Sequence, residues 1–315
     1  MTTPTIPNAL GAEAAYNLAD VAKTRPQYGA LTPRWLTRFL EFKGLASGLY
    51  RVNRVLEQGD TPLDALCGQD PDDKQIPQGF VPYQTKPREY VLGSISTIVN
   101  VAASVADVYS SPHDQTAEQL GLAIESLRER QESQIVNNDD YGLLKNVAES
   151  QKVKTRRGSP TPDDLDELLS KVWKEPSFFL AHPRAVAAFA RECTRRGVPP
   201  AAASIGGGVF ITWRGVPIVP TDKLFVDGLK NPKSQAGKTN ILLLRTGESR
   251  RGVVGLYQTG LPGDQTRGLA VRKRGVDDRG LVSYLLSLYC SAAILADDAL
   301  AVLEEVEVGN YYDYK

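Results

Sequence analysis

The chain has 315 residues, 42% of them hydrophobic and 23% charged, and its 37 basic and 37 acidic side chains cancel to a formal net charge of zero. This length is enough for one large domain or two modest ones. The balanced charge argues against a nucleic-acid partner, because such proteins usually carry a basic excess.

Residues 1–30 are predicted to form an extended N-terminal arm. Nine of the chain's twenty prolines lie in the first ninety residues, where they interrupt any helical or strand period. Large side chains are spaced along the arm as candidate anchors: Tyr16, Leu18, Val21, Tyr28 and Trp35. Such a segment is typical of a chain that orders on the surface of a neighbour. Thr32 as N-cap and Pro33 in the first turn predict a helix that stops near Gly44.

After the arm we expect a loop region and then the longest helix of the chain. Residues 57–88 are polar and proline-rich and predict a loop, whereas Glu89 to Val101 alternates and predicts a strand within an extended hairpin or loop. Residues 114–137 predict a long helix. Its apolar stripe is Leu120, Ile124, Leu127 and Ile135, with Glu125, Arg128, Glu129 and Arg130 outside.

The next stretch carries a second clear helix signal. Residues 152–160 are basic and predict a solvated connector. Thr161-Pro162-Asp163-Asp164 then predicts a helix start, with a capping threonine, a first-turn proline and carboxylates near the positive helix end. The helix continues with the stripe Leu165, Leu168, Leu169, Val172 and Trp173. A short strand at 177–181 follows, and then a helix at 184–196 that Gly197 ends.

The last third of the chain is predicted to be mostly strands. They are expected at 209–213, 216–219, 240–244, 253–257, 269–274, 281–294 and 302–308. The apolar run 281–296 is too short and too rich in serine for a membrane helix. It alternates as a strand, with Leu286, Leu288, Cys290, Ala292 and Ile294 on one face. We therefore predict no transmembrane segment. Met1-Thr2-Thr3-Pro4 lacks the features of a signal peptide, which favours a cytoplasmic location.

No group of residues points to catalysis, a cofactor or a metal. His113 and His182 stand apart, with no neighbouring cysteine or second histidine. Three cysteines, Cys67, Cys193 and Cys290, fit no zinc spacing and predict buried, reduced thiols. Carboxylates are paired at 163–164, 277–278, 297–298 and 304–305. Capping and solvation explain these pairs, although a glycosidase-like pair remains open as an enzyme alternative.

Ala236-Gly237-Lys238-Thr239 looks like the end of a phosphate-binding loop. The full motif requires glycine where Pro232 stands, and it must lead into a helix whose N-terminus holds the phosphate. Residues 240–244 instead predict a strand. The sequence therefore excludes a nucleotide site at this position.

Several stretches resemble the family 2A encapsulin shell proteins, which include mycobacterial and cyanobacterial members. They are NLADVAKT at 17–24, LTPRWL at 31–36, YRVNR at 50–54, WRGVP at 213–217, YLLSLY at 284–289 and ALAVLE at 299–304. None of these stretches is a catalytic motif. The resemblance rests on its breadth, because it runs over nearly the whole chain.

The resemblance implies an α+β chain with the Hong Kong 97 phage-like major capsid protein fold. The arm would be 1–45. The peripheral domain would be 46–160, with an extended loop at about 78–112 and a spine helix at about 114–137. The axial domain would be 161–250, and 251–315 would return to the peripheral domain as strands. An arm and an extended loop also predict that the isolated chain exposes well over the roughly 13,000 Å² of a compact monomer of this mass.

The family implies a structural protein, not an enzyme, that builds an icosahedral nanocompartment of about 60 copies. It also implies cysteine desulfurase as enclosed cargo, so that the cargo and not the shell would carry pyridoxal phosphate and serve sulfur metabolism. A phage-type major capsid protein remains an alternative with the same fold, which the neutral charge disfavours because such a shell encloses DNA.

The segment 200–208 is predicted to be a loop that shapes a pore at a five-fold axis. The family fold places an axial-domain loop there. The candidate pore-lining residues are Ala201, Ala202, Ala203, Ser204 and Ile205. Most are small enough for five copies to crowd an axis, and Gly206 to Gly208 would let the backbone turn back. An ordinary connection between a helix and a strand is the alternative.

Overall fold

The computed structural model describes residues 13, 16–17, 31–52, 87–101, 114–227, 237–278 and 281–311, and the account below is confined to them. The helices are α1 (Trp35–Phe39), α2 (Gln115–Asn137), α3 (Pro162–Lys171) and α4 (Pro183–Arg195). The first eight strands are β1 (Phe42–Leu45), β2 (Leu49–Val52), β3 (Arg88–Val91), β4 (Gly93–Val101), β5 (Lys152–Lys154), β6 (Phe178–Ala181), β7 (Ala201–Ile205) and β8 (Gly208–Trp213). The others are β9 (Val216–Pro220), β10 (Lys238–Leu244), β11 (Val253–Gln258), β12 (Asp264–Thr266), β13 (Leu269–Val276), β14 (Val282–Ile294) and β15 (Leu300–Glu307).

Seven strands form a mixed sheet in the order β5-β15-β10-β6-β9-β8-β7. Helices α3 and α4 pack on one face of it, where Leu165, Leu168 and Phe189 are buried against Phe179 and Leu243. Every residue of β6 is buried, as expected for a strand covered on both faces. Most of this sheet and its two helices come from the range expected for the axial domain, 161–250, and β5 and β15 join the sheet from outside that range.

A second sheet runs in the order β1-β11-β14-β13-β12, and β4 also pairs with β14. Strand β14 is the central strand of this sheet. Its first half pairs with β4 and β13, and its last residues pair with β11. Helix α2 packs on this sheet, with Leu127 buried against Leu286 and Leu288. Strands β2 and β3 form a separate two-stranded ribbon.

Local signals placed two of the helices correctly. Asp114 caps α2 by accepting a hydrogen bond from the backbone N–H of Ala117, in agreement with the predicted bounds of 114–137. Thr161 and Asp164 form a reciprocal capping box at the start of α3, with Pro162 in the first position. Both helices therefore begin where side chains satisfy backbone donors that the helix leaves free.

Strand β14 confirms the prediction for the apolar run near the C-terminus. Its even-numbered residues from Leu286 to Ile294 are buried, and they pair with β4, β11 and β13. Among the described residues, no helix is both long and apolar enough to cross a bilayer. The run is thus the central strand of a sheet, as its alternation indicated.

Other local predictions are wrong. The helix at Trp35 has no side-chain cap and ends at Phe39, because strand β1 begins at Phe42. The predicted strand 89–101 is divided into β3 and β4, which lie in different sheets. Residues 152–160 were predicted to be a solvated connector, but the first three of them form β5, which is parallel to β15. Trp173 leaves its apolar stripe and is 66% exposed, because α3 ends at Lys171 before the stripe is complete.

The last strand lies in a different place from the one expected. Residues 251–315 were expected to return to the peripheral domain, and β11 to β14 do lie in the second sheet. Strand β15 instead pairs with β10 in the seven-stranded sheet, with Leu242 opposite Val302. Asp297–Ala299 form a short 3₁₀ turn between β14 and β15. The chain therefore passes from one sheet to the other at this turn.

The chain exposes far more surface than a compact monomer. Its accessible area is 19199 Å², against about 13,000 Å² expected for a compact protein of its mass. The area agrees with the expected large surface and includes residues 1–30 and 78–112, the expected source of the excess, most of which lie outside the described residues. A fold of this kind leaves much area that neighbouring copies could cover.

Candidate assembly and pore surfaces

The root of the arm is anchored by an aromatic cluster. Helix α1 places the Trp35 ring against Phe210 in an edge-to-face contact, with centroids 5.1 Å apart. Phe39 packs against both Phe210 and Phe178, and Leu36 is fully buried in the same core. Edge-to-face ring pairs add stabilisation beyond buried area. Residues 35–40 are therefore part of the folded body and not of a free arm.

A polar contact fixes the same segment to the spine helix α2. The backbone N–H of Thr32 donates to Glu129 Oε1 at 2.9 Å, so Thr32 does not cap α1 as predicted. Arg34 forms an ion pair with Glu125 at 2.7 Å. Lys223, from the turn after β9, donates to Glu129 Oε2 at 2.8 Å. The prediction that Glu125 and Glu129 point away from the protein is therefore wrong, since both contact other parts of the chain.

Glu132 is the most deeply buried acid of this contact, and the sequence analysis missed it. Its side chain is 1% exposed. Glu132 Oε2 accepts from the backbone N–H of Thr37 at 3.2 Å, and Oε1 accepts from Thr221 Oγ1 at 3.3 Å. Burial raises the pKa of Glu132, although the bonds from Thr37 and the charge of Lys223 oppose the rise. The sequence held one sign of this buried acid. The apolar stripe of residues 120, 124 and 127 continues along the helix into polar residues at 131 and 132, which are therefore on the buried side.

The predicted pore segment is a strand and not a loop. Residues 201–205 form β7, which pairs with β8 through a two-residue turn at Gly206 and Gly207. Both glycines have positive φ, 57° and 83°, as such a hairpin turn requires. Strand β7 is an edge of the seven-stranded sheet. Ala201, Ala202 and Ser204 are exposed, whereas Ala203 and Ile205 are half-buried.

The tip of this hairpin packs against the arm root. A Cβ placed on Gly206 would lie 2.7 Å from Phe39 Cε1, so only glycine fits there without movement. Ile205 contacts the same buried cluster as Phe39. The structure thus brings one predicted arm anchor, Trp35, and one predicted pore residue, Ile205, to a single core.

The other arm anchors are mostly outside the described part of the chain. Tyr16 is 60% exposed, and Leu18, Val21 and Tyr28 lie outside the described residues. Further large apolar side chains are exposed on the body: Val91, Ile98, Trp173, Val198, Val209, Phe225, Val276 and Tyr311. They are candidate contacts between copies, and isolated exposed apolar residues of this kind are also common on monomers.

The candidate catalytic carboxylates are held by structural partners. Asp164 is fully buried in its capping box and pairs with Arg156 at 3.0 Å. Arg245 and Lys174 hold Asp298 at 2.6 Å and 2.8 Å and, against the effect of burial, keep the pKa of this carboxyl low. Glu305 pairs with Lys238. These acids support folding, as capping and solvation had suggested.

A cavity of about 360 Å³ lies near the base of β3, between Tyr90, Tyr141 and Ile294. Its polar groups are already paired: Arg88 contacts Asp297 at 2.5 Å, and the Tyr90 hydroxyl donates to the backbone oxygen of Ile294 at 2.5 Å. An active site would need convergent polar groups whose hydrogen-bonding capacity is not already used within the protein. The cavity therefore does not favour the enzyme alternative.

The residues that could suggest a metal or phosphate site have other roles in the described part of the chain. No group of three or more metal-ligating side chains occurs among the described residues. His182 serves as N-cap of α4 by accepting from the N–H of Arg184 at 3.1 Å, whereas His113 lies outside them. Lys238 opens strand β10 and not a helix, which removes the phosphate-loop context.

Two of the three cysteines lie in the described part of the chain. Cys193 and Cys290 are free and buried, and burial raises the pKa of each thiol to about 11. Cys67 lies outside the described residues. Buried thiols with a high pKa are poor nucleophiles, which agrees with the prediction of structural cysteines.

Comparison with known sequences identifies the relatives of the chain. A family model described as "Type 2A encapsulin shell protein SrpI-like" matches residues 51–310. The type 2A encapsulin shell protein SrpI of Synechococcus elongatus is 54% identical over 307 residues, which cover 98% of this chain and 97% of that protein. The type 2A encapsulin shell protein of Mycobacterium leprae is 49% identical over the same shares.

Comparison with solved structures agrees. The chain matches the cryo-EM structure of the holo-SrpI encapsulin complex from Synechococcus elongatus with a TM-score of 0.81, covering 98% of this chain and all of that one. The capsid of the empty GTA particle matches with a TM-score of 0.61 at 13% identity, covering 94% of this chain and 99% of that one. The second likeness shows the fold alone and confirms the α+β, Hong Kong 97 phage-like capsid architecture.

Proposed function

The chain belongs to the type 2A encapsulin shell protein family, and from this premise we propose that its copies assemble into a closed icosahedral shell of about 60 subunits. The observation that supports this most is the 54% identity to SrpI over 98% of the chain, together with the TM-score of 0.81 to the holo-SrpI complex. In this function the subunit is a structural protein and performs no turnover of its own.

The surface of the subunit suits cooperative assembly. Its large accessible area and its scattered exposed apolar side chains give each copy several weak contacts. Weak contacts made at several sites reinforce one another, because each new contact then forms at a high effective concentration. Deletion of residues 1–30 should therefore abolish or grossly weaken shells while the seven-stranded sheet still folds. Intact large particles in size-exclusion chromatography of this deletion would contradict the role of the arm.

The proposed cargo is a cysteine desulfurase that carries pyridoxal phosphate, within the cytoplasm. This assignment rests on kinship, and the sequence of the shell subunit says nothing of its cargo. The compartment would serve sulfur metabolism by holding the enzyme inside and filtering what reaches it. A phage-type capsid is less favoured, because the likeness to phage-like capsid structures is only 13% in sequence and the chain has no basic excess.

The proposed five-fold pore involves strand β7 and its hairpin. The exposed edge of β7 carries the small side chains of Ala201, Ala202 and Ser204, which would leave space if five copies met there. These residues carry no charge, so such a pore would select by size and polarity more than by an electric field.

The test of the function is to express the chain with and without its candidate cargo. Negative-stain images should show uniform closed particles in both cases, and mass spectrometry should find the desulfurase only in the loaded ones. Absorbance of pyridoxal phosphate and release of sulfide from cysteine should follow the cargo. Sulfide release by shells made without cargo would contradict the non-enzymatic role, and absence of closed particles would contradict shell formation.

A further inference from the structure

Helix α1 lacks the cap that its own sequence should provide. The residue before it, Arg34, has a left-handed backbone (φ 50°) and makes no capping bond with its side chain. A helix start leaves several backbone N–H groups without partners, and a buried one must find an acceptor. Thr37 carries such a group, since it is the third residue of α1.

The missing acceptor comes from the spine helix. Glu132 Oε2 lies 3.2 Å from the Thr37 nitrogen and 3.3 Å from its hydroxyl oxygen. This geometry is that of an N-cap, with the carboxylate supplied from 95 residues away in the chain. Glu132 is 1% exposed, so water does not compete for this bond.

We propose that Glu132 positions the arm root, residues 31–39, because it caps α1 from the spine helix and so fixes this segment on the subunit. The aromatic contacts of Trp35 and Phe39 hold α1 on the core, but they do not satisfy its free backbone donors. Thr32 also donates to Glu129, which lies one turn before Glu132 in α2, so a second acid of the spine helix holds the arm root. The consequence for assembly rests on the proposed shell function.

The charge state of Glu132 gives the proposal a pH dependence. The groups that face it are Thr37 from the arm root, Thr221 and Lys223 from the turn after β9, and Glu129 from its own helix; Lys223 also pairs with Asp222. Burial is the largest cause of the raised pKa. The bonds from Thr37 oppose this rise, but the net shift of the pKa is upward, so the docked state favours the protonated acid, whose carbonyl oxygen still accepts from Thr37. Docking is tightest at low pH and weakens as the pH rises through the raised pKa.

The test compares three variants of the full chain. Glu132→Ala removes the acceptor, Glu132→Gln keeps a neutral acceptor, and Glu125→Ala removes an acid of the same helix that contacts the arm but caps nothing. Hydrogen exchange of the segment 35–40 is followed by mass spectrometry between pH 5 and 8, and particle yield by size-exclusion chromatography. Protection is corrected for the intrinsic exchange rate at each pH.

We expect Glu132→Ala to lose protection about fivefold, from the typical worth of a helix cap, and to yield fewer shells. Glu132→Gln should keep protection and shells and should remove the pH dependence of the wild type. Glu125→Ala should change protection less than twofold, since a partly exposed ion pair, here with both side chains about a quarter exposed, contributes little. If Glu132→Ala does not fold, the pH profile of Glu132→Gln decides.

Three results would overturn the proposal: unchanged protection in Glu132→Ala, a loss in Glu132→Gln as large as in Glu132→Ala, or a wild-type pH profile that Glu132→Gln retains. Failure of the wild type to form shells would instead contradict the proposed function. The exchange of segment 35–40 within the subunit would still decide the role of Glu132 in that case.

Discussion

Replacement of Leu36 by alanine tests how firmly the arm root belongs to the folded body. Leu36 is fully buried in the core that joins both sheets, beside Phe178 and Ile135. Removal of its three outer carbon atoms costs about 2.4 kcal/mol at about 0.8 kcal/mol per buried carbon group. The cavity left behind raises the loss to about 3–5 kcal/mol. The free energy of unfolding should fall by this amount.

Urea unfolding of dissociated subunits measures the loss, and size-exclusion chromatography measures assembly. Val209→Ala is the matched control for unfolding, because Val209 is 77% exposed and its truncation should change the stability of the dissociated subunit by less than about 0.5 kcal/mol. We expect Leu36→Ala to weaken shells relative to the wild type. A loss of stability below about 1 kcal/mol, or shells as stable as those of the wild type, would refute the view that the arm root is part of the core.

Three further predictions concern the hairpin and the link between the sheets. Gly206→Ala should cost more stability than Gly207→Ala, because both have positive φ but only the first would place its Cβ against Phe39; equal thermal midpoints would contradict this. Ala202→Asp, on the exposed face of β7, should change the permeation of small anions into loaded shells, and unchanged cargo kinetics would remove β7 from the pore. Asp298→Asn should reduce the loss in the free energy of unfolding that the wild type shows as the pH falls. The pKa of Asp298 is lowered by its cationic partners despite its burial, so its contribution is present above about pH 4 and lost below it; a wild-type acid profile in Asp298→Asn would contradict this.

Elements with local signals could be predicted from the sequence alone. Helix α2 lies within one residue of its predicted start because Asp114 supplies the cap. The capping box of Thr161 and Asp164 is likewise contained in four residues. Strand β14 could be recognised because its alternation continues over thirteen residues. In each case the atoms that decide the structure are close in the sequence.

Predictions from the sequence were wrong where contacts between distant residues decide the local structure. Thr32 has the pattern of an N-cap, yet its bonds go to Glu129, which is 97 residues away. The prediction for the segment 200–208 failed for a different reason, because its contacts are local: it has the composition of a loop, yet it forms β7 and the glycine turn of a hairpin with β8. Trp173 fits the apolar stripe, but the end of α3 at Lys171 leaves it exposed. Periodicity cannot report where a helix ends when the cause is tertiary.

The sequence by itself determined the family, the fold class and the positions of the locally capped helices, because these depend on many residues or on neighbours along the chain. The tertiary structure alone decided that β15 joins the seven-stranded sheet and that Glu132 caps the arm root. The physical reason is the same for both. Each buried backbone donor needs an acceptor, but the local sequence does not show which distant group supplies it, and only folding brings the two together.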